Sequence, residues 1–273
     1  MKSKKIYFIL SLLLTSLILT TAACNKDDDD DDQNNGGSGD TNTGKIHFDF
    51  DFVVDGNPLQ YDTLMYTNAA GNKYLVYEVQ YFLSQLTIYK DGKAKVLKGW
   101  EKEHYIDTNI PSTLGWDVYD KIEAGDYDSL SFRFGFADAD NQSYMFVNSP
   151  EKDMVWPDYL GGGYHYMKLN GKWLTPDNKL RGFAFHIGRG QVYDSNGNPV
   201  SFIDNSFYIS FKNSDFKIEK GKYTKMTVRM HVDEWFKDPI VYDHNKWGGD
   251  IMQNQAAMEI GVKNGWNVFE LVK

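Results

Sequence analysis

Apolar and polar positions alternate in many short runs along the chain from residue 44 onward. In the first run Phe48, Phe50 and Phe52 occupy every second position, with Asp49 and Asp51 between them. Successive side chains of a β-strand point to opposite faces, so this pattern predicts a strand with one apolar face and one polar face. Comparable runs of alternating aromatic or branched residues lie at 132–136, 183–187, 207–211 and 226–232.

Turn-forming dipeptides separate these runs, because glycine, asparagine and aspartate tolerate the backbone angles of tight turns. They are Asp55-Gly56, Asp91-Gly92, Asn170-Gly171, Asn196-Gly197 and Lys220-Gly221. Helical periodicity is best over 249–263, where Ile251, Ala256, Met258 and Ile260 are predicted to line one face. The chain is therefore predicted to be all-β, mainly an antiparallel sandwich or barrel, with few short helices and one of them near the C-terminus.

The first residues have the order of a secretory signal. Three lysines within the first five positions precede an apolar stretch over 6–19, and small residues then lead into Cys24. An apolar stretch of this length is shorter than a membrane span and is typical of a cleaved signal peptide, here predicted over 1–23. Cys24, the single cysteine of the chain, follows two alanines in a pattern that resembles the lipobox of bacterial lipoproteins. We therefore expect a lipid at Cys24, which would anchor the chain to a membrane.

An acidic segment follows the predicted lipid site. Residues 27–32 are six consecutive aspartates, and the next positions are rich in asparagine, glycine and serine. A segment without apolar residues has nothing to offset the entropy cost of ordering, so 24–43 is predicted to be a lipidated, acidic, disordered tether. The acidic run reads either as a solvating spacer or, by resemblance, as the signal that sends lipoproteins of Bacteroidota to the outer cell surface. The expected location is accordingly the outer membrane, lipid-anchored, on the cell surface.

Charge and motifs narrow the function of the remaining segment, 44–273, which is predicted to be one β domain. The chain has 38 acidic and 29 basic residues, a formal net charge of −9. An acidic protein is a poor match for nucleic acid, whose phosphates require a basic face. The glycine-rich segment 161–163 lacks the lysine of a phosphate loop and is predicted to be a tight turn. The acids Asp138 and Asp140 are expected to be exposed turn residues, and no motif in the chain argues for an enzyme.

Three histidines lie in strand-like runs beside aromatic residues or methionine. They are His104, His165 and His186. Imidazole nitrogens suit copper among other borderline metals, so these histidines are candidate ligands. The alternative for each of them is a structural histidine that is satisfied by hydrogen bonds.

Several stretches, taken in their order along the chain, resemble the MbnP-like family. They are 66–74, 79–84, 104–107, 132–135, 154–164 and 185–188, and the likeness runs from about residue 45 to residue 269. The resemblance implies a secreted or lipid-anchored β-protein. It also implies binding of copper through histidines and a tryptophan that a partner di-haem enzyme oxidises to kynurenine.

The resemblance ranks the candidate residues. His186 lies in the family's His-Ile-Gly turn, His165 and His104 come next, and Trp156 is the expected oxidisable residue. Where the family often repeats the tryptophan, Trp156 is followed by Pro157 and an aspartate. The resulting hypothesis is a lipoprotein that binds a metal ion, copper by expectation. Its expected partners are the membrane and either a di-haem peroxidase-like protein or an outer-membrane transporter.

A second hypothesis is a surface module that binds glycans or another nutrient beside an outer-membrane transporter. Its candidate stacking residues are Trp100, Trp116, Trp173 and Trp247, since exposed aromatic rings pack against sugars. Their alternative is packing in the core. The two hypotheses differ in geometry, because the first requires the histidines to converge and the second requires exposed tryptophans.

Overall fold

The computed structural model describes residues 42–98, 102–212 and 214–273. The predicted signal peptide, Cys24, the acidic tether up to residue 41 and Trp100 lie outside these residues. No helix within the described ranges is long and apolar enough to cross a membrane.

Strands are the commonest regular element of the described residues, and the predicted all-β class with few helices is confirmed. The strands are β1 (Thr43–Val54), β2 (Asn57–Pro58), β3 (Tyr66–Thr67), β4 (Lys73–Lys90), β5 (Lys93–Val96), β6 (Glu103–Asp107), β7 (Gly115–Asp117), β8 (Ile122–Glu123), β9 (Gly125–Tyr127), β10 (Ser129–Phe134), β11 (Met167–Leu174), β12 (Leu180–Ile187), β13 (Gly190–Tyr193), β14 (Pro199–Ile203), β15 (Phe207–Phe211), β16 (Phe216–Ile218), β17 (Tyr223–His231) and β18 (Phe269–Val272). The α-helices are α1 (His244–Trp247) and α2 (Gln255–Asn264), and 3₁₀ turns lie at Pro111–Leu114, Glu151–Met154, Asp158–Leu160, Val232–Phe236 and Gly265–Asn267.

Two sheets contain most of these strands. The smaller has the order β18-β17-β1-β2, with β7 and β8 also paired to β1. The larger has the order β12-β11-β4-β10-β15, and the long strand β4 also pairs with β3, β5 and β6. Among the strands of the described residues, pairing is antiparallel except between β1 and β17, which run parallel from Lys45 opposite Tyr223 to Val53 opposite His231. The predicted mainly antiparallel arrangement is therefore confirmed.

The apolar faces of the two sheets meet in an aromatic core. Phe48 of the smaller sheet packs edge-on against Phe132 of the larger, with ring centroids 5.2 Å apart. Phe52 contacts Tyr81 in the same manner at 6.3 Å. All four rings are buried, as the alternation in β1 predicts. Burial of each aromatic side chain contributes about 1.5–3 kcal/mol, and edge-to-face contacts add to it.

The C-terminal helix is shorter than the predicted range 249–263. It begins after Asn254, whose side chain accepts a hydrogen bond from the backbone N–H of Ala257 at 3.2 Å. Asparagine is a preferred N-cap residue because it satisfies a free N–H of the first turn. The later start also corrects the predicted buried face, since Ala256 is exposed and Ala257 is buried.

The dipeptide Asn170-Gly171 was predicted to form a turn, and this prediction was wrong. Both residues lie inside β11, where Asn170 is paired with Glu78 on β4 and with Ala184 on β12. The register to β4 shifts between the two residues. A Cβ atom on Gly171 would meet the carbonyl oxygen of Leu75, so glycine here permits close backbone approach. A glycine that serves a bulge cannot be distinguished by sequence from one that serves a turn.

Candidate functional site

The chain between β10 and β11 folds back on itself and carries two of the predicted site residues. Val155 forms a β-bridge with Tyr164. The glycines at 161–163 turn the chain between them, and all three have positive φ angles, which glycine adopts without steric cost. The predicted tight turn is therefore present. It places Trp156 and His165, one on each arm, beside each other.

Strand β12 contributes the third residue. Phe185 and Ile187 point into the core and are buried, so His186 between them projects from the opposite face of the strand. Tyr166 donates its backbone N–H to the carbonyl oxygen of Ile187 at 2.8 Å, which fixes the register of the arriving chain against β12. As a result the rings of His165 and His186 meet edge to face, with centroids 5.1 Å apart and an interplanar angle of 83°.

Trp156 completes the cluster and is fully buried. Its ring lies edge to face with His165, with centroids 4.7 Å apart. Its indole N–H donates to the carbonyl oxygen of Leu160 at 3.1 Å. A Cβ atom on Gly188 would lie 2.6 Å from the indole ring, so the small residue of the His-Ile-Gly turn makes room for the tryptophan. We call Trp156, His165 and His186 the histidine–tryptophan cluster.

Each imidazole of this cluster has one nitrogen in a hydrogen bond and one without. His165 Nδ1 lies 2.9 Å from the carbonyl oxygen of Met154, and His186 Nε2 lies 2.9 Å from Oδ1 of Asn170. Both partners are acceptors, so both of these nitrogens carry the hydrogen. The other nitrogens, His165 Nε2 and His186 Nδ1, are buried and have no hydrogen-bond partner among the described residues. In the neutral ring each of them presents a lone pair.

Burial keeps both rings neutral. It lowers the pKa of His186 to about 3, and the nearby ammonium of Lys168 acts in the same direction. The pKa of His165 also lies well below its usual value, first because of burial and then because of His186 and Lys168. Lys168 is the cross-strand neighbour of His186, and its ammonium donates to the carbonyl oxygen of Asp153 at 2.8 Å. Both rings therefore hold an unprotonated nitrogen at neutral pH.

Two neutral nitrogen donors on adjacent buried rings fit a borderline metal ion such as copper. Metal-bound histidines commonly donate their second nitrogen to a carbonyl or side-chain oxygen, which fixes the tautomer, and both rings make such a bond. Within the described ranges no group of three or more His, Cys, Asp or Glu side chains is placed to hold a metal ion. The candidate nitrogen donors in this part of the chain are thus the two histidines.

The structure does not bring His104 to this pair, and the expected three-histidine group is corrected in this respect. Strand β6, which carries His104, pairs with one edge of β4, and β11 pairs with the other. Tyr81 of β4 accordingly lies between Ile106 of β6 and Met167 of β11. The His104 ring stacks between Phe50 at 5.2 Å and Trp116 at 4.9 Å. Its Nε2 lies 3.0 Å from the carbonyl oxygen of Thr113, and burial lowers its pKa to about 4. His104 is thus a half-buried residue that packs against two rings of the core.

Three of the tryptophans predicted to stack on sugars lie among the described residues, and these three do not form an exposed platform. Trp116 and Trp173 are buried, at 3 % and 4 % exposure. Trp247 is half-buried, with the ammonium of Lys246 lying 4.5 Å from its ring centroid. Trp266, which the sequence did not single out, is 66 % exposed.

Two other features, one in the cluster and one outside it, were missed from sequence. The sequence pattern predicts a turn at Asn170, so it does not reveal the contact of this side chain with His186. His244, which the sequence did not single out, is fully buried at the start of α1, and neither ring nitrogen has a partner among the described residues. No local signal distinguishes such a histidine, because its cage is assembled from distant segments.

Comparisons with known proteins agree with the fold. A sequence model of the MbnP family matches residues 43–254. The solved structure of MbnP from Methylosinus trichosporium superposes with a TM-score of 0.54 at 13 % sequence identity, covering 84 % of this chain and 98 % of that one. No curated protein matches the sequence. Because the family match spans most of the chain and the structural match shares its fold, the chain belongs to the MbnP family.

Proposed function

We propose that this domain binds a copper ion through Nε2 of His165 and Nδ1 of His186. The observation that carries the proposal is the pair of buried nitrogens without hydrogen-bond partners on two rings whose centroids are 5.1 Å apart. A buried acceptor that lacks a partner costs about 1–3 kcal/mol, and a bound ion would offset this cost at both rings.

Several properties of the pair favour copper. Imidazole is a good ligand for copper, and copper(II) stands highest among the divalent first-row metals in general affinity. Both rings are held in one tautomer by their hydrogen bonds, so no reorganisation is needed before an ion binds. The family resemblance points to the same metal.

Trp156 belongs to the same site in this proposal. The family resemblance marks it for oxidation to kynurenine by a di-haem peroxidase-like partner. Its ring packs edge-on against His165, so a change at the indole would lie next to the proposed ligands. The domain itself acts as a binding protein rather than as an enzyme.

The proposed setting is the outer membrane. Cys24 would carry the lipid, and the acidic tether would hold the domain away from the bilayer at the cell surface. Copper capture at this location fits a partnership with a di-haem enzyme or an outer-membrane transporter.

Titration of the purified mature protein with copper(I) against a competing chelator tests the metal assignment. We expect one high-affinity copper per wild-type chain. The variants His165→Ala and His186→Ala should each bind more than about tenfold more weakly, since even second-shell partners of a metal are worth about 10- to 100-fold. His231→Ala is the matched control, because this histidine is partly exposed and pairs with Glu270 at 3.0 Å.

Equal copper affinity in wild type and in both cluster variants would refute the proposal. Wild-type protein that takes up no copper would also refute it and would shift the assignment to the surface ligand-binding module. Intact mass of protein purified from its native host tests the tryptophan separately. A mass increase that matches oxidation and maps to Trp156 is expected, and an unmodified Trp156 would remove it from the site.

A further inference from the structure

A chain of three polar side chains crosses three strands of the larger sheet and ends on a cluster histidine. Glu78 of β4 is paired with Asn170 of β11, and His186 lies on β12 two residues beyond Ala184, the partner of Asn170 on that strand. The amide nitrogen of Asn170 donates to Oε2 of Glu78 at 2.7 Å. Its amide oxygen lies 2.9 Å from Nε2 of His186. Because side chains two positions apart share a face of a strand, the register itself places the three groups in contact.

The carboxylate of Glu78 determines the donor and the acceptor in each hydrogen bond that links these three side chains. An ionised carboxylate can only accept hydrogen bonds, so Asn170 must turn its NH₂ group toward Glu78. Its oxygen then faces His186 and can only accept, so the hydrogen of the neutral imidazole must be on Nε2. Nδ1 is left with its lone pair. A rotated amide would instead set its oxygen against the carboxylate.

Further contacts keep the carboxylate in place. Oε1 of Glu78 accepts a hydrogen bond from the side-chain amide of Asn109 at 3.1 Å and from that of Gln80 at 3.3 Å. Gln80 also donates to Asp107 at 3.0 Å. Glu78 is therefore anchored through Oε1, and Oε2 accepts the hydrogen bond from Asn170.

We propose that Glu78 is a positioning residue for the copper site: through Asn170 it selects the tautomer of His186 and thereby makes Nδ1 the metal-binding nitrogen. The metal role rests on the proposed function, whereas the tautomer role concerns the metal-free protein. His165 needs no such relay, because a main-chain carbonyl of Met154 fixes its tautomer. The tautomer of His165 is thus fixed by the backbone, and the tautomer of His186 is fixed by a side-chain carboxylate.

The tautomer can be read directly in the metal-free protein by ¹⁵N nuclear magnetic resonance of the histidine side chains, assigned with His186→Gln. Wild type should display a protonated Nε2 and an unprotonated Nδ1 at His186. In Glu78→Gln the new amide offers either an acceptor or a donor to Asn170, so both tautomers should be populated. Asn170→Ala removes the side chain that links Glu78 to His186, so it should also give a mixture of the two His186 tautomers.

A double variant restores the direction of the chain. In Glu78→Gln/Asn170→Asp, the carboxylate at position 170 accepts from the amide at position 78 and from His186, so Nε2 must again carry the hydrogen. The net charge equals that of wild type. Glu123→Gln, an exposed acid on β8 of the other sheet, is the matched control and should behave as wild type. Copper(I) affinity should fall about tenfold in Glu78→Gln and return to within about threefold in the double variant, the range typical of second-shell partners.

Two readouts separate this inference from the proposed function. The role of Glu78 is overturned, whatever the copper result, if His186 of wild type is protonated on Nδ1. It is also overturned if wild type and the folded variants Glu78→Gln and Asn170→Ala all have the same His186 tautomer. The expected tautomer changes in a wild-type protein that binds no copper support the relay and refute the metal function. A restored tautomer in the double variant without restored copper affinity overturns the link between the tautomer and the metal.

Discussion

Replacing His244 by phenylalanine is expected to make the domain more resistant to acid. The imidazole is fully buried in an aromatic cage, with ring centroids 4.5 Å from Phe183, 4.9 Å from Phe236 and 5.2 Å from Tyr242. Neither nitrogen has a hydrogen-bond partner among the described residues. Burial lowers the pKa of His244 to about 3, although Asp243 acts in the opposite direction.

The size of the effect follows from linkage between protonation and folding. In the unfolded chain His244 titrates near its ordinary pKa of 6.5, whereas in the fold it stays neutral until about pH 3. Below pH 6.5 the unfolded state therefore binds a proton that the folded state does not, and stability falls as the pH falls. Since each pH unit in this window is worth about 1.4 kcal/mol per group, His244 alone lowers the free energy of unfolding by about 2 kcal/mol between about pH 7.5 and pH 5.

Urea unfolding at these two pH values measures the effect. Wild type should lose about 2 kcal/mol more than His244→Phe on going from about pH 7.5 to pH 5. The comparison of two differences cancels any packing cost of the larger ring, which is the same at both pH values. It also cancels the acid sensitivity of the buried His104, His165 and His186, because these are present in both proteins.

An equal loss of stability in the two proteins would refute the reasoning, since it would mean that His244 is hydrated or already protonated in the fold. The variant also serves the metal experiment. His244 lies outside the histidine–tryptophan cluster, so copper binding at neutral pH should be unchanged in His244→Phe. Lost copper binding would place His244 in the metal site.

Three further predictions concern the site and the anchor. Gly188→Ala should displace the indole of Trp156 and shift the tryptophan emission, because the added Cβ would lie 2.6 Å from the ring. Gly182→Ala is the control and should leave the emission unchanged, because its Cβ would meet one carbonyl oxygen at 3.9 Å. Copper affinity should stay nearly constant from about pH 7 to pH 5 while the domain remains folded. The pKa of His186 is lowered to about 3, so protons compete with copper only at lower pH. A steep loss of copper affinity near pH 6.5 would contradict the buried environment of the ring. Cys24→Ala should abolish incorporation of radiolabelled palmitate and release the protein from membranes, and labelling that persists in the variant would disprove lipidation at this residue.

The strands could be predicted from sequence because alternation is a local property. Phe48, Phe50 and Phe52 are buried and their acidic neighbours are not, as a period of two requires. The dipeptides that form hairpin turns, such as Asp55-Gly56 and Asp91-Gly92, were also readable, because positive φ angles select these residue types. Errors arose where one local pattern serves two purposes, as in Asn170-Gly171, where glycine permits a bulge inside a strand.

The candidate site could be predicted only in part. His186 was singled out from its motif and His165 from its strand-like run beside aromatic residues and methionine, and the fold brings their rings together. His104 had an equally suggestive setting of aromatic neighbours but stacks between two rings of the core. Sequence cannot separate these cases, because whether an imidazole meets another imidazole depends on which strands pair and at which register.

By itself the sequence determined the periodicity, and with it the all-β class, because alternation depends on residues that are near one another in the chain. The order of short motifs along the chain indicated the family, and the first residues predict a secretion signal. The tertiary structure decided which side chains are in contact. The register of β4, β11 and β12 sets Glu78, Asn170 and His186 in one line, and the glycine turn at 161–163 places His165 against it. Long-range pairing creates the desolvated surroundings that lower the histidine pKa values, so the chemistry of the site exists only in the folded chain.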